Sequence, residues 1–229
     1  IDGEEELEEV LARFSEGDPP FVISSAFPYL DDGSELLLPK LVSSLPSIEV
    51  SEKDDIEAVK KLKRTRYIPA EVFSEFSSGR LTQQELFSSY KGDISIDGTD
   101  YRLSSRFLIP NEHSEPFKRH ETPGISVNRL TSSTDGNLFH RRSLRFSEGS
   151  GMYVLADGET GYVKRGLSAL QDEGIGGGGS VGKGHYSFKG PRSKNPELEI
   201  KHDGSFCTLS LCVPDEDEID GFFEGGYYR

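Results

Sequence analysis

An α+β fold is predicted by three features of the sequence. Apolar residues recur at helical spacing in two separate stretches, Leu7, Val10, Leu11 and Phe14 in the first and Val163, Leu167 and Leu170 in the second. Leu138 to Phe146 instead alternates by twos, as a strand does. Turn signals such as Asp31-Asp32-Gly33 and Asp97-Gly98 separate further short apolar runs. The chain of 229 residues can hold one large or two small domains, and its hydrophobic fraction of 34% is low but sufficient for a core.

In order, the first helix spans Glu4 to Phe14, with acids in its early turns where the helix dipole favours them. Gly17 to Pro20 ends it. Phe21 to Leu30 reads as a strand, the Asp31-Asp32-Gly33 turn follows, and Leu36 to Leu38 forms the next apolar run. A polar loop leads to the basic run Lys60, Lys61, Lys63, Arg64 and Arg66, and Arg66 to Ile68 reads as a short strand. Pro69 opens a helix carrying Val72, Phe73 and Phe76 that stops at Gly79, and Thr82 caps another through Tyr90. Asp93 to Ile109 reads as two strands joined at Asp97-Gly98.

Pro110 to Gly136 shows no core period and reads as a long, polar, basic loop. Regularity returns with the strand Leu138–Phe146, a turn at Glu148 to Gly151 and the apolar strand Met152 to Ala156. A helix over Tyr162 to Gln171, a glycine run and a strand over His185 to Lys189 follow. Strand, hairpin, strand, helix, Gly-rich turn and strand form the back half of a ferredoxin-like βαββαβ unit. Another hairpin is expected over Leu198 to Val213. Cys207 and Cys212 lie there at odd spacing, on opposite faces of a strand, which points to buried thiols in a reducing, cytoplasmic compartment. No apolar run is long enough for a membrane-spanning helix. The chain begins at Ile1 and ends at Arg229 in mid-pattern, so further sequence is expected on both sides.

The formal net charge of −14 argues against a nucleic-acid partner, but its distribution argues for one. Residues 1–57 hold sixteen acids against Arg13, Lys40 and Lys53, and Asp215 to Glu224 adds six more acids. Between His113 and Phe146 the balance reverses, with Lys118, Arg119, Arg129, Arg141, Arg142 and Arg145 against Glu115, Glu121 and Asp135. Such a chain suits an anion on one face and basic partners on another; ordinary solvated charge is the alternative.

Gly174 to Phe188, GIGGGGSVGKGHYSF, departs furthest from ordinary composition. Backbone this bare cannot fill a core, yet it can bring N–H groups close to an anion or a nucleic-acid strand. Gly177 to Lys183 matches G-x-x-x-x-G-K, but Gly184 replaces the Mg²⁺-binding Ser or Thr. Gly174, Gly176 and Gly179 match G-x-G-x-x-G, but a helix precedes them where a strand is required. Neither nucleotide-binding motif therefore holds, and a flexible linker is the remaining alternative.

A family resemblance rests on ISSAFPYL (Ile23 to Leu30) with LLLPK (Leu36 to Lys40), NRLTSSTDGNLFHRR (Asn128 to Arg142), GLSALQDEG running into the glycine segment, and CTLSLCVPDEDE (Cys207 to Glu218). Together they resemble the RAMP subunit that caps the crRNA 5′ handle in type III-A CRISPR effector complexes. The resemblance implies two RRM-like, ferredoxin-like domains, with residues 1–192 forming the first, thumb hairpin and glycine loop included, and 193–229 beginning the second. It implies a non-catalytic subunit without cofactor or metal, holding the crRNA handle and bridging the large polymerase-like subunit to the backbone RAMP filament. Carried over by residue, Gly174, Gly176, Gly177, Gly178, Gly179, Ser180, Gly182, Lys183 and Gly184 would clasp the handle, while Lys118, Arg119, Asn128 and Arg129 fall at or beside the thumb. The four consecutive glycines replace residues that members often make Lys, Arg or Ser, which weakens phosphate pairing by the loop itself.

Single-stranded RNA is held by bases stacked on aromatic rings and by phosphates meeting cations and amides. Phe139 and Arg141 share a strand face, which makes Arg141 the phosphate contact and Phe139 the stacking ring, with core packing the alternative for Phe139. Two other functions remain open. A crRNA-processing endoribonuclease would use a histidine for proton transfer, and His113, His120, His140, His185 and His202 are candidates, though none falls in a recognisable pairing. A protein-only scaffold would use the acidic ends and make the glycine run a linker.

Overall fold

The computed structural model describes residues 3–41, 53–82, 85, 94–96, 98–125, 127, 130–131, 138–192 and 207–211. In chain order its elements are α1 (Glu4–Ser15), β1 (Phe21–Ile23), β2 (Phe27–Leu30), β3 (Glu35–Pro39), α2 (Lys53–Arg64), β4 (Tyr67–Pro69), α3 (Ala70–Ser77), β5 (Ile94–Ile96), β6 (Thr99–Ser104), β7 (Phe107–Pro110), β8 (Phe117–Ile125), β9 (Leu138–Phe146), β10 (Gly151–Tyr153), β11 (Ala156–Gly158) and α4 (Thr160–Glu173). The fold is α+β, as the patterning predicts. The chain forms two compact units, one from 1–26, 154–195 and 208–213 and the other from 27–153, 196–207 and 214–229.

In the first unit β1 and β11 pair antiparallel, Ile23 opposite Ala156 and Phe21 opposite Gly158, and α4 packs on both strands. Phe14 of α1 meets Phe21 edge-on with centroids 5.3 Å apart, and Phe21 stacks on Tyr162 at 6.0 Å. Arg13 reaches Glu159 at 2.6 Å and Arg165 reaches Glu6 at 2.9 Å, so charges frame the aromatic contacts. The run Phe21–Leu30, expected as one strand, is divided between the two units. Ser24 causes the break: its hydroxyl accepts from the Leu155 amide at 2.9 Å, and its own N–H donates to Leu155 O.

The second unit holds a seven-stranded sheet in the order β10-β2-β3-β4-β7-β6-β5. Only β4 and β7 run parallel within it. Leu37, Leu38, Ile68, Leu108 and Ile109 are fully buried at its centre, where both faces are covered. Helix α3 lies against β3 and β4 through Val72 and Phe73, the helical pair read from the sequence. Leu30, Leu37, Phe107 and Ile109 form a cluster on which Tyr67 and Phe117 pack. Tyr101 donates to Glu71 at 2.9 Å and Tyr153 to Leu37 O at 3.0 Å, so both buried phenols are satisfied.

Several expectations are corrected. Residues 93–109 contain three strands rather than two, because a second tight turn at Ser105 and Arg106 joins β6 to β7. The long loop from Pro110 contains β8, nine residues paired along their whole length with β9. Met152–Ala156 splits between β10 and β11. His185–Lys189 forms no strand; the segment lies along α4 instead, Tyr186 donating to Leu167 O and the Phe188 amide to Gln171. Cys207 is exposed in irregular chain rather than buried in a strand. The Thr82–Tyr90 helix lies mostly outside the described residues, but Thr82 and Glu85 make the reciprocal bonds of a capping box. The hairpin over Leu198–Val213 and the boundary at 193 also fall largely outside them.

Candidate nucleic-acid interface

Two structures built on opposite principles carry the predicted site residues, one an ionic ribbon and the other bare backbone. The ribbon is the β8–β9 hairpin of the second unit. Its root is fixed by Phe117, which meets Phe107 edge-on at 5.2 Å and Phe146 at 5.5 Å. Glu115 braces the turn before β8 by accepting from Ser104 and Ser105, and Ser147 donates to Glu115 O. Beyond the root nearly every residue of both strands is exposed. A two-stranded ribbon exposed on both faces is marginal by itself.

The register sorts the charges. Residues directly opposite share a face, so Lys118 with Arg145, His120 with Ser143, Thr122 with Arg141 and Gly124 with Phe139 form one face. The other carries Phe117 with Phe146, Arg119 with Leu144, Glu121 with Arg142, Pro123 with His140 and Ile125 with Leu138. Arg142 is neutralised there by Glu121 at 2.7 Å. The first face has three cations and no acid. Lys118 stands opposite Arg145, a like-charge pairing that destabilises a ladder. A ligand that neutralises the pair would recover that cost.

Phe139 is 38% exposed and rests over Gly124, where a Cβ would meet its ring at 2.6 Å. The Arg141 guanidinium lies 5.1 Å from the ring centroid. Phe139 is thus a surface ring backed by a glycine and flanked by a cation, and not a core residue. Lys118 and Arg119, taken together from the sequence, point to opposite faces, and Arg145 and His120 are the residues that the sequence reading left out of the cationic face. Alternation within Phe117–Ile125 would have shown this, but Pro123 and Gly124 disguise the strand. Asn128 and Arg129 lie outside the described residues.

The bare backbone is the glycine loop of the first unit. Gly174 ends α4 with φ 82°, its amide donating to Leu170 O at 2.8 Å. The Ile175 amide donates to Gly184 O at 2.9 Å and closes the loop. Gly184, at φ 86°, has its α-carbon so near the Ile175 carbonyl that no side chain fits. Within the loop a single 3₁₀ turn over Gly179–Val181 is flanked by left-handed Gly178 and Gly182. The amides of Gly176, Gly177, Gly178 and Gly179 make no hydrogen bond among the described residues. Lys183 is half-buried, its stem beside Gly178, and it donates its own amide to Gly178 O at 3.1 Å. Ordered donors with no internal acceptor suit an anion. Of Ser180 only the backbone is described.

Among the described residues no three His, Cys, Asp or Glu side chains gather as metal ligands, and no helix is long and apolar enough to cross a membrane.

No protein-family model matches the chain. It is 28% identical over 228 residues to the "CRISPR system Cms protein Csm4" of Thermococcus onnurineus (strain NA1), covering 93% of this chain and 64% of that protein. A protein of the same name from Streptococcus thermophilus is 28% identical over 120 residues, 51% of this chain and 40% of the relative. The chain therefore spans less than two thirds of either relative. Among solved structures, a Csm1–Csm4 cassette in complex with cA4 is 26% identical with TM-score 0.47, covering 75% of this chain and 54% of the matched one. A Csm3–Csm4 subcomplex of the type III-A CRISPR–Cas interference complex is 14% identical with TM-score 0.46, covering 77% and 55%.

Proposed function

We propose that this chain, a relative of the Csm4 proteins, serves as the RNA-holding subunit of a type III-A CRISPR complex. Its task in this reading is to grip the crRNA 5′ handle and to bridge the large polymerase-like subunit to the backbone RAMP filament. It does no chemistry and takes no cofactor. The fold is read as RRM-like, with the β8–β9 hairpin as the thumb and a second such domain begun by the C-terminal residues.

One observation carries the reading: a hairpin face on which Lys118, Arg145 and Arg141 accompany an exposed Phe139, with no acid among them. Phosphates meet the cations while a base lies on Phe139, whose opposite side is held by Gly124. Stacking of this kind is worth about 1–3 kcal/mol per base. The amides of Gly176–Gly179 add donors that approach a strand closely because no Cβ intervenes.

The experiment is a salt titration of labelled single-stranded RNA binding to the full-length chain, alone and with the other subunits. Three phosphate contacts give log K a slope of about −2 against log salt, so doubling the salt weakens binding roughly fourfold. The variant combining Lys118→Gln, Arg141→Gln and Arg145→Gln is expected to lose that slope. Undiminished binding by the triple variant refutes the interface.

A second reading has one observation in its favour. His120 stands at the centre of the cationic face, opposite Ser143 and between the Lys118–Arg145 and Thr122–Arg141 pairs. An imidazole there could take a 2′-hydroxyl proton while neighbouring cations stabilise the leaving oxygen. RNA cleavage by the wild type that disappears in His120→Ala would replace the binding reading with the endoribonuclease one.

A further inference from the structure

The basic run Lys60–Arg66 takes no part in the interface above. It forms the end of α2 and the link to β4, and its last member meets Arg106, which is distant in the chain. The Arg66 amide donates to Arg106 O at 2.7 Å, and the Tyr67 amide donates to the same carbonyl at 3.1 Å. Arg106 sits in the two-residue turn between β6 and β7, held tight by Ser105 at φ 50°. Arg119 projects from β8 on the face of Phe117, whose ring is seated against Phe107 beside that turn. Three backbone segments thus bring three arginines to the hairpin root.

Three other arginines of the second unit find acceptors: Arg80 pairs with Glu75, Arg142 with Glu121, and Arg102 donates to His113 O. Among the described residues no carboxylate pairs with Arg66, Arg106 or Arg119. The mutual repulsion is felt: the Arg106 guanidinium is pushed below its usual value, first by burial and then by the charges of Arg119 and Arg66. A part-buried arginine with two like neighbours and no acid is unfavourable for folding alone. An anion shared among the three reverses the sign of that interaction.

We propose that Arg66, Arg106 and Arg119 form a second anion site, on the side of the hairpin opposite Lys118 and Arg145, that takes a phosphodiester group of single-stranded RNA. The proposal rests on the RNA-binding reading above and extends the path of the strand across the hairpin root. Phosphate is favoured because planar guanidinium forks bond its oxygens in pairs, and three donors from fixed backbone suit one compact, multivalent acceptor.

The test compares salt slopes for a labelled oligouridylate binding to the full-length chain. The double variant Arg66→Gln with Arg106→Gln is expected to flatten the slope by about 0.7, the share of one phosphate, and each single Gln variant by part of that. Arg106→Lys, which keeps the charge, retains the slope, and Arg80→Gln, which breaks the pair with Glu75 away from this cluster, leaves binding unchanged. Arg106→Gln should melt no lower than the wild type, since the structural bonds come from the backbone carbonyl and the repulsion from Arg66 and Arg119 is relieved. An unchanged slope in the double variant, while the triple hairpin variant loses its own, overturns this site and leaves the hairpin interface standing. Normal RNA binding with lost association of the large subunit also overturns it, because the arginines would then face an acidic protein. Failure of the wild type to bind RNA overturns both readings together.

Discussion

The glycine loop separates two roles that are usually confounded, closing a turn and leaving room for a ligand, and two substitutions distinguish them. Gly184 has φ 86°, and its missing Cβ would run into the Ile175 carbonyl. Left-handed backbone costs an alanine roughly 1–2 kcal/mol before that clash is counted. Gly184→Ala should therefore open the Ile175 N–H to Gly184 O bond and speed exchange of the Ile175 amide by at least about 5–30-fold. Gly177 differs in both respects: its φ is not positive, and nothing lies within 4 Å of where a Cβ would stand. Gly177→Ala should leave Ile175 exchange as it is and stabilise the chain by up to about 1 kcal/mol through the unfolded state. Gly177→Val should fold equally well yet bind RNA about 10–100-fold more weakly, the equivalent of one charge-assisted hydrogen bond of roughly 1.5–3 kcal/mol. Hydrogen exchange and RNA titration on the same samples decide the matter. Wild-type affinity in Gly177→Val would sink the loop as a ligand contact, and unaltered Ile175 exchange in Gly184→Ala would sink the closure argument.

Gly124→Ala should push the Phe139 ring off its seat; because that ring is exposed, melting should shift little while RNA affinity falls, and equal affinity would mean Phe139 does not stack. The phenols of Tyr101 and Tyr153 are raised above their usual value, Tyr101 by burial and then by its bond to Glu71, Tyr153 by burial. Each holds its proton more tightly folded than unfolded, so its contribution is complete below about pH 10 and is lost as pH rises above it. Stability measured from pH 9 to 11 should fall less steeply in Tyr153→Phe than in the wild type. Replacing the exposed Glu4, Glu5, Glu8 and Glu9 of α1 with Lys should reduce copurification with partner subunits, most clearly at low salt; unchanged yields would mark this helix as merely solvated.

What the sequence made legible was local. Helices α1, α3 and α4 follow from apolar spacing and punctuation by Gly and Pro, and β9 from its alternation. β8 was hidden because Lys118 to Gly124 contains no apolar period and includes Pro and Gly, both poor strand residues. Its strand character comes from nine pairings with a partner across a long connection, which no local pattern reports. For the same reason Lys118 and Arg119 were read as neighbours when they face apart. Composition marked the glycine loop, but the contact between Gly184 and Ile175 depends on backbone approach across the loop. Arg106 joined its cluster only through a tight turn and two distant segments.

The division of Phe21–Leu30 has a kinetic consequence. The β1–β11 pair of the first unit is assembled from chain on either side of residues 27–153, and Ser24 and Leu155, which bond each other, lie 131 positions apart. Closing such a loop from a random chain is slow and costly. The segment 27–153 of the second unit, however, begins and ends on its own ladder, with Phe27 directly opposite Tyr153. Once that ladder has formed, the two emerging chains are already side by side, and β1 meets β11 as if across a hairpin of a few residues. Reducing the effective loop from 131 to about four is five halvings, or roughly 3 kcal/mol of closure entropy. Order of folding is thereby built into order of chain: the segment 27–153 acts as the turn for β1 and β11, and a lesion in β2 or β10 should delay the pairing of both.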